Sequence, residues 1–460
     1  MTAQPGPAAT QERDLRRVIG FWGGTALIIG ITIGSGIFRK PATIAALVPD
    51  PRVVLALWTA FGVISLCGAL TVAELASMLP RTGGLYVYLR QAYGEGAGFV
   101  FGWVYVAVTA PAVIAALATV FIEFLLSAMG MRHEALSPTL TTGATVVTIA
   151  VLAGVHILGT RLGAAFQGVF TAMKVAALLA IIVAAFGFGH GTFEHLAPAA
   201  GATVAGAPLA RAVASVIWTY DGWIAVSMIA GEVVAPERML TRIIVVGMLA
   251  IVVLYLGANL AYIFSMPADA MVREKAGIAA RLMTDIAGPV GGKLIAVCIV
   301  ASVLGALAGN VLARPRVAYA MARDGLGFRF LGHTHPRYAT PDAAILVQAA
   351  VAIALVLCLR DFDRLTTYFV VVEWLALLFG VGSVFVLRRR MPEAPRPFRT
   401  PLYPLVPLVF VVGTAAGLAT IVWGEWSDGN FSPVFGLLIA VAGFPIYALY
   451  RRLVPAPRTP

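Results

Sequence analysis

Three places in this sequence put polar chemistry inside apolar runs. Gly30-Ile31-Thr32-Ile33-Gly34-Ser35-Gly36 gathers three Gly and two hydroxyl residues within seven positions. Ile217-Trp218-Thr219-Tyr220-Asp221-Gly222-Trp223 sets a carboxylate and a Gly in the middle of a second run. Lys174 lies in a third, as the one Lys or Arg deep within an apolar run. Each Gly weakens a helix by about 1 kcal/mol relative to Ala, and a carboxylate at the centre of a membrane helix costs roughly 2.5–3.5 kcal/mol on an insertion scale. Interrupted helices release backbone groups: N–H groups at a half-helix N-terminus suit a carboxylate, and C=O groups at a half-helix C-terminus suit an ammonium. A zwitterionic amino acid carries both. The first stretch also fits a close-packing face, because Gly30 and Gly34 form a small-xxx-small pair. Asp221 at a span boundary is the corresponding plain reading of the second.

The elements that must position these residues follow from composition. The chain has 460 residues, 60% of them apolar and 12% charged, against about 25% charged in soluble domains. So apolar a chain cannot cover its core with polar surface, which makes it an all-α integral membrane protein. Apolar runs near the ~20 residues a spanning helix needs occur at residues 18–46, 53–79, 94–129, 139–159, 164–188, 208–234, 239–266, 290–322, 342–359, 365–388, 404–424 and 433–452. These predict twelve spans, with the third and eighth long enough to tilt or project. The runs are too long for barrel strands and do not alternate. The net charge of +11 would suggest nucleic acid in a soluble protein. Here the basic residues crowd the loops that are cytoplasmic when both termini are inside, so the charge reports orientation in a bilayer and no nucleic-acid partner is expected. Among the residues placed inside are Arg314, Arg316 and Arg388–Arg390. No cleavable signal peptide is expected, since residues 1–17 are polar and the first apolar run is long.

The broken runs are the first and the sixth. Each opens a set of five, and interruptions at corresponding positions of two halves point to the binding site of a secondary transporter. An odd number of spans per set inverts the second half. The reading is therefore a cytoplasmic tail (1–17), a first five-helix repeat (18–188), a second, inverted repeat (208–388), a cytoplasmic linker (391–403) and two additional helices (404–453). Residues 267–289 predict a short amphipathic helix outside the membrane, as a lid or a plain surface helix.

The remaining polar residues give little. Cys67, Cys298 and Cys358 lie in apolar runs, supporting neither a disulfide framework nor a metal site. His333 and His335 have no carboxylate or Cys at ligand spacing, so no metal and no cofactor are expected. No P-loop is present, and no nucleophile–base pair suggests an enzyme. Glu123 falls near the outer end of its span and reads as solvated. Glu373 lies deeper, and it and Asp221 are the candidates for proton handling. The third-span wall Ala110-Pro111-Ala112-Val113-Ile114-Ala115 is small and uncharged, favouring neutral side chains, whereas Asp221 would admit a cationic one.

The order of motifs resembles the amino acid–polyamine–organocation superfamily of transporters, and is similar to bacterial relatives of the L-type amino acid transporters. The matching stretches are Ile33-Gly34-Ser35-Gly36-Ile37-Phe38, Glu74-Leu75 with Pro80-Arg81-Thr82-Gly83-Gly84, Phe170-Thr171-Ala172-Met173-Lys174, Trp218 to Trp223, Gly231-Glu232, Arg316 to Gly325, and Phe398 to Pro404. Met239 stands where the family often has Asn. The resemblance implies a five-plus-five inverted repeat with discontinuous helices 1 and 6. It implies a substrate carboxylate on the amides of Ser35, Gly36 and Ile37, and a substrate ammonium on carbonyls of Thr32, Ile217, Trp218 and Asp221. Trp218 would close over the substrate. Lys174, with Ser302 as its candidate partner, would stand in for the coupling cation of sodium-dependent relatives. The function so implied is sodium-independent movement of L-amino acids, by exchange, across a bacterial inner membrane. Proton symport and cationic amino acid or polyamine transport are the alternatives. No disulfide-linked heavy subunit is expected, because the outer loop Gly130–Pro138 has no Cys.

Overall fold

The structure, a computed structural model, describes residues 15–131, 137–197, 206–274, 277–359 and 362–453. Its described residues are helical apart from loops and one isolated bridge between Ile19 and Val233. The first apolar run forms two helices, α1 (Phe21–Thr32) and α2 (Gly36–Leu47), with Ile33–Ser35 between them. Next come α3 (Pro51–Met78) and the short α4 (Leu85–Tyr93). The third span is α5 (Glu95–Val104), a π turn over Tyr105–Thr109, and α6 (Ala110–Ala128). After these come α7 (Pro138–Ile157) and α8 (Thr160–Phe188). The starts are encoded locally: the side chain of Asp50 caps α3 on the amide of Arg52 at 2.9 Å, that of Ser137 caps α7 on Leu140, and each is followed by Pro at the first helical position.

The sixth span is broken as well. It consists of α9 (Gly206–Tyr220), a turn through Asp221 and Gly222, and the single helical turn α10 (Ala225–Met228). After it come α11 (Pro236–Ser265), the short α12 (Ala268–Arg273), α13 (Ile278–Ala313) and α14 (Pro315–Arg323). The chain closes with α15 (Asp342–Leu359), α16 (Phe362–Arg390), α17 (Leu405–Ser427) and α18 (Ser432–Leu453). Among the described residues, nine helical stretches are long and apolar enough to cross a bilayer alone. The other predicted spans are the broken sixth, the shorter ninth and α18. The amphipathic segment forms α12 and the start of α13, which kinks at Gly288, and α12 packs against α2.

The halves of the broken helices form the centre of the bundle. α1 lies among α8, α11 and α13, while α2 packs on α9. The aromatic rings of Trp58, Tyr220 and Tyr255 meet at centroid distances of 5.2–5.7 Å and tie α3, α9 and α11 together. Outward-facing Val147, Val151, Val169, Val183 and Val253 are exposed, as a lipid-facing surface requires.

Two arginines differ from their predicted placement. Arg314 and Arg316 are 3% and 0% exposed and belong to the interior, although their position at the end of the eighth span reads as cytoplasmic. A guanidinium is buried where carboxylates from other helices meet it. Arg316 makes a bidentate pair with Glu232, at 2.8 and 3.3 Å. Glu232 also accepts the amides of Val18 and Ile19 through its carbonyl, which anchors the chain just before α1. Likewise Glu74 in α3 receives Arg388 at 2.9 and 2.6 Å and the amide of Thr400 at 2.7 Å, fastening the 391–403 linker to the bundle.

Candidate functional site

Both helix breaks open on one small cavity of about 30 Å³. It is lined by Ile31, Thr32, Gly34, Ser35 and Gly36 from the first break, Trp218, Thr219 and Asp221 from the second, Val113 and Leu117 from α6, and Asn310 from α13. Glycine is needed at two positions here. A Cβ on Gly36 would lie 2.7 Å from the Thr219 side chain, so Gly36 lets α2 approach α9. Gly222 has φ of +112°, and a Cβ there would lie 2.8 Å from Ile31.

The cavity is polar where it is buried. Thr32 Oγ1, Ser35 Oγ and Asp221 Oδ1 are each buried with no hydrogen-bond partner among the described protein groups. All three belong to residues that line this one cavity, where they are available as ligand contacts. The amides of Ser35, Gly36 and Ile37 lie at the start of α2, ahead of its regular hydrogen-bond ladder. The Thr32 carbonyl is differently placed from the expectation that it meets an ammonium. It already accepts from the amide of Gly34 at 2.9 Å and the hydroxyl of Tyr255 at 2.7 Å. The same Tyr255 hydroxyl lies 3.0 Å from the Thr219 carbonyl, so one side chain from α11 bridges both breaks. The Trp218 carbonyl accepts the Asp221 amide at 3.3 Å, and the Ile217 side chain is fully buried and does not line the cavity.

Lys174 lies under the first break. Its Nζ donates to the carbonyls of Gly30 at 2.7 Å, Ile33 at 2.6 Å and Ser302 at 2.8 Å. Three acceptors match the three N–H donors of an ammonium. They join the end of α1, α8 and α13. Ser302 takes part through its carbonyl, while its hydroxyl donates to the Ile33 carbonyl at 3.1 Å. The C-terminal carbonyls of a half-helix carry partial negative charge, so a fixed cation there is electrostatically favoured.

Trp218 is 8% exposed and packs edge-on against Phe369 of α16, with centroids 5.2 Å apart. Asp221 and Glu373 converge on Arg314, which the sequence alone places at the cytoplasmic end of the eighth span. The Arg314 guanidinium is 3.3 Å from Asp221 Oδ2 and 3.7 Å from Glu373 Oε1, and donates to the Tyr105 hydroxyl at 3.0 Å and Asn310 Oδ1 at 2.5 Å. Two acidic residues buried in separate spans are a signal that a buried cation should exist. Glu123, expected to be solvated, is partly exposed and also pairs with Arg39 of α2 at 2.7 Å. Residues 132–136 of the outer loop after α6 lie outside the described residues.

A family model described as amino acid permease matches residues 19–444. The chain is 33% identical over 441 residues to the serine/threonine exchanger SteT of Bacillus subtilis, an alignment covering 95% of this chain and 98% of that protein. It is 27% identical over 448 residues to the mouse b(0,+)-type amino acid transporter 1, covering 95% and 88%. It is also 27% identical over 450 residues to the human cystine/glutamate transporter, covering 96% and 87%. These relatives are transporters, not enzymes. With nearly its whole length matched and two broken helices meeting at one buried cavity, the chain belongs to the amino acid permease family, within the amino acid–polyamine–organocation superfamily.

Proposed function

We propose that this permease exchanges L-amino acids with neutral side chains, without sodium, by alternating access around the cavity between the two breaks. The observation that carries the reading is the set of unpaired buried atoms, Thr32 Oγ1, Ser35 Oγ and Asp221 Oδ1, facing one cavity beside the start of α2. The amides of Ser35, Gly36 and Ile37 suit the substrate carboxylate. Asp221 Oδ1, with the carbonyls of Ile217 and Trp218, suits its ammonium. Val113 and Leu117 offer an apolar wall for the side chain. About 30 Å³ is room for about two waters, so the half-helices stand further apart when an amino acid is bound.

Sodium independence rests on Lys174, whose ammonium bridges α1, α8 and α13 as a bound cation would. Exchange is supported by the Bacillus subtilis relative, a serine/threonine exchanger. Two five-helix sets related by inversion, 18–188 and 208–388, account for why the breaks fall in the first and sixth spans. The excess of Arg on one set of loops supports cytoplasmic termini in a bacterial inner membrane.

Uptake of labelled amino acids into liposomes containing the purified chain tests the proposal. Uptake should accelerate when the liposomes are preloaded with unlabelled amino acid, and should be equal in sodium and choline media. Uptake that needs a proton gradient and ignores internal amino acid would make the protein a symporter.

A further inference from the structure

The Arg314 guanidinium is the central cation of a buried network drawn from four parts of the fold. Its carboxylate partners are Asp221, in the break of the sixth span, and Glu373 on α16. Its neutral partners are Tyr105 in the π turn and Asn310 on α13. The guanidinium also stacks over the rings of Tyr105 and Phe369, at 5.4 and 5.2 Å from their centroids. Phe369 is the ring that packs on Trp218. Arg314, Asp221 and Glu373 are all under one-tenth exposed.

The two carboxylates occupy different spaces. Asp221 lines the cavity between the breaks. Glu373 does not; it lines an apolar groove of about 610 Å³ whose other walls include Val100, Val104, Ala376, Phe379 and Val441. Arg314 therefore takes one oxygen of Asp221 and stands toward Glu373. The cavity is left with the one carboxylate oxygen that Arg314 does not take, Asp221 Oδ1. Every amino acid brings one α-ammonium to fill that position. A second positive group on the side chain would find no anionic partner in the cavity and would lie near a guanidinium that is always charged. Rejection of a competitor by an unpaired charge is an established source of specificity.

We propose that Arg314 is a specificity-determining residue that keeps cationic amino acids out of the site by holding Asp221 through one oxygen. This rests on the amino acid exchange reading and extends it from substrate class to the residue that sets the class. Arg314 acts through Asp221, so it is a positioning residue, and substrate selectivity is a readout that a purely structural role would not move.

The test uses the full chain in liposomes, with labelled L-serine, L-leucine and L-lysine as probes. In wild type, excess unlabelled L-lysine should compete with uptake of the neutral probes at least about 10-fold less effectively than unlabelled L-leucine or L-serine, as expected for a charge brought beside a like charge. Arg314→Gln alone would leave two carboxylates facing each other, so the informative variant is Arg314→Gln with Glu373→Gln, which leaves Asp221 as the sole charge. Its ratio of L-lysine to neutral uptake should rise about 10-fold. Arg314→Lys, which keeps the positive charge, should retain the wild-type ratio. Competition by L-lysine equal to that by the neutral amino acids in wild type, or an unchanged ratio in a well-behaved double variant, overturns the proposal. If the double variant is lost from the membrane or inactive, the ratio is read in Arg314→Met with Glu373→Gln, and an unchanged ratio there overturns the proposal. Failure of wild type to take up any amino acid would refute the exchange reading instead.

Discussion

Lys174 makes three charge-assisted hydrogen bonds in a fully buried position, each to the backbone carbonyl of a different residue. Hydrogen bonds to charged groups contribute about 1.5–3 kcal/mol each. Lys174→Ala removes all three, leaving the Ile33 carbonyl only the Ser302 hydroxyl as donor and the Gly30 carbonyl without the ammonium. Loss of even one bond's worth of preference between the two halves of the transport cycle corresponds to about a 10- to 150-fold change in an equilibrium. Lys174→Ala should therefore bind substrate yet exchange it at least about 10-fold more slowly, as measured by equilibrium binding and counterflow on the same preparation. Normal exchange by this variant would remove the cation-substitute role. Trp218 offers a second test at the same scale. Its ring lines the cavity and rests against Phe369, so Trp218→Ala opens that wall and sacrifices an aromatic contact of about 0.5–1.5 kcal/mol in addition to buried area. Uptake of every substrate should fall, through a raised KM, while insertion and elution behaviour stay as in wild type. Unchanged kinetics would return Trp218 to a packing role.

Between elements, Tyr255 holds the two breaks at a fixed spacing. Its hydroxyl meets the carbonyls of Thr32, at the end of α1, and Thr219, near the end of α9. The ring itself is packed by Trp58 and Tyr220, so Tyr255→Phe keeps the packing and removes the link alone. Leaving buried acceptors short of a donor costs about 1–3 kcal/mol. The variant should fold and show about a 5- to 100-fold loss of exchange, read in liposomes at saturating internal amino acid. A Tyr255→Phe protein that exchanges at the wild-type rate would show that the breaks are spaced by packing instead. The π turn is a comparable device in the third span. It brings Tyr105 to Arg314 and Thr109 to the same face as Glu373, and such turns often occur at functional sites.

The whole molecule is bound together by ion pairs that join distant parts of the chain. Arg316–Glu232 fixes the turn whose carbonyl holds the segment before α1, and Arg388–Glu74 joins α16 to α3, where the Thr400 amide of the linker also meets Glu74. Removing one partner of a buried pair costs about 3–5 kcal/mol, while replacing both by apolar groups of similar volume is often close to neutral. Cys67, Cys298 and Cys358 are unpaired thiols in the structure, and the segment Gly130–Pro138 contains no Cys. The single purified chain should therefore exchange amino acids in liposomes with no added protein. Activity that appears only after a second protein is supplied would overturn this expectation.

Composition and local interruption are legible in the residues alone. Long apolar runs leave the backbone no way to satisfy its polar groups in a bilayer except as helices. Gly34, Gly36 and Gly222, with Asp221, mark where two of those helices break, because Gly and a buried carboxylate are costly inside a continuous span. The lone Lys174 is likewise legible, since an ammonium in an apolar run must have acceptors nearby. Which groups satisfy one another is a matter of packing, and on this the residue order is silent. Arg314 reads as the cytoplasmic end of a span until Asp221 from one span and Glu373 from another are seen on either side of it. Arg316 reads the same way until Glu232 meets it, and Glu123 shows no partner until Arg39 reaches it. Tyr255 carries no signal, because a Tyr in an apolar run is ordinary and only packing puts its hydroxyl between two half-helices. Whether a helix forms is decided over a few neighbouring residues. Whether a buried charge is tolerated depends on partners tens or hundreds of residues away, brought within a few ångströms when the helices pack.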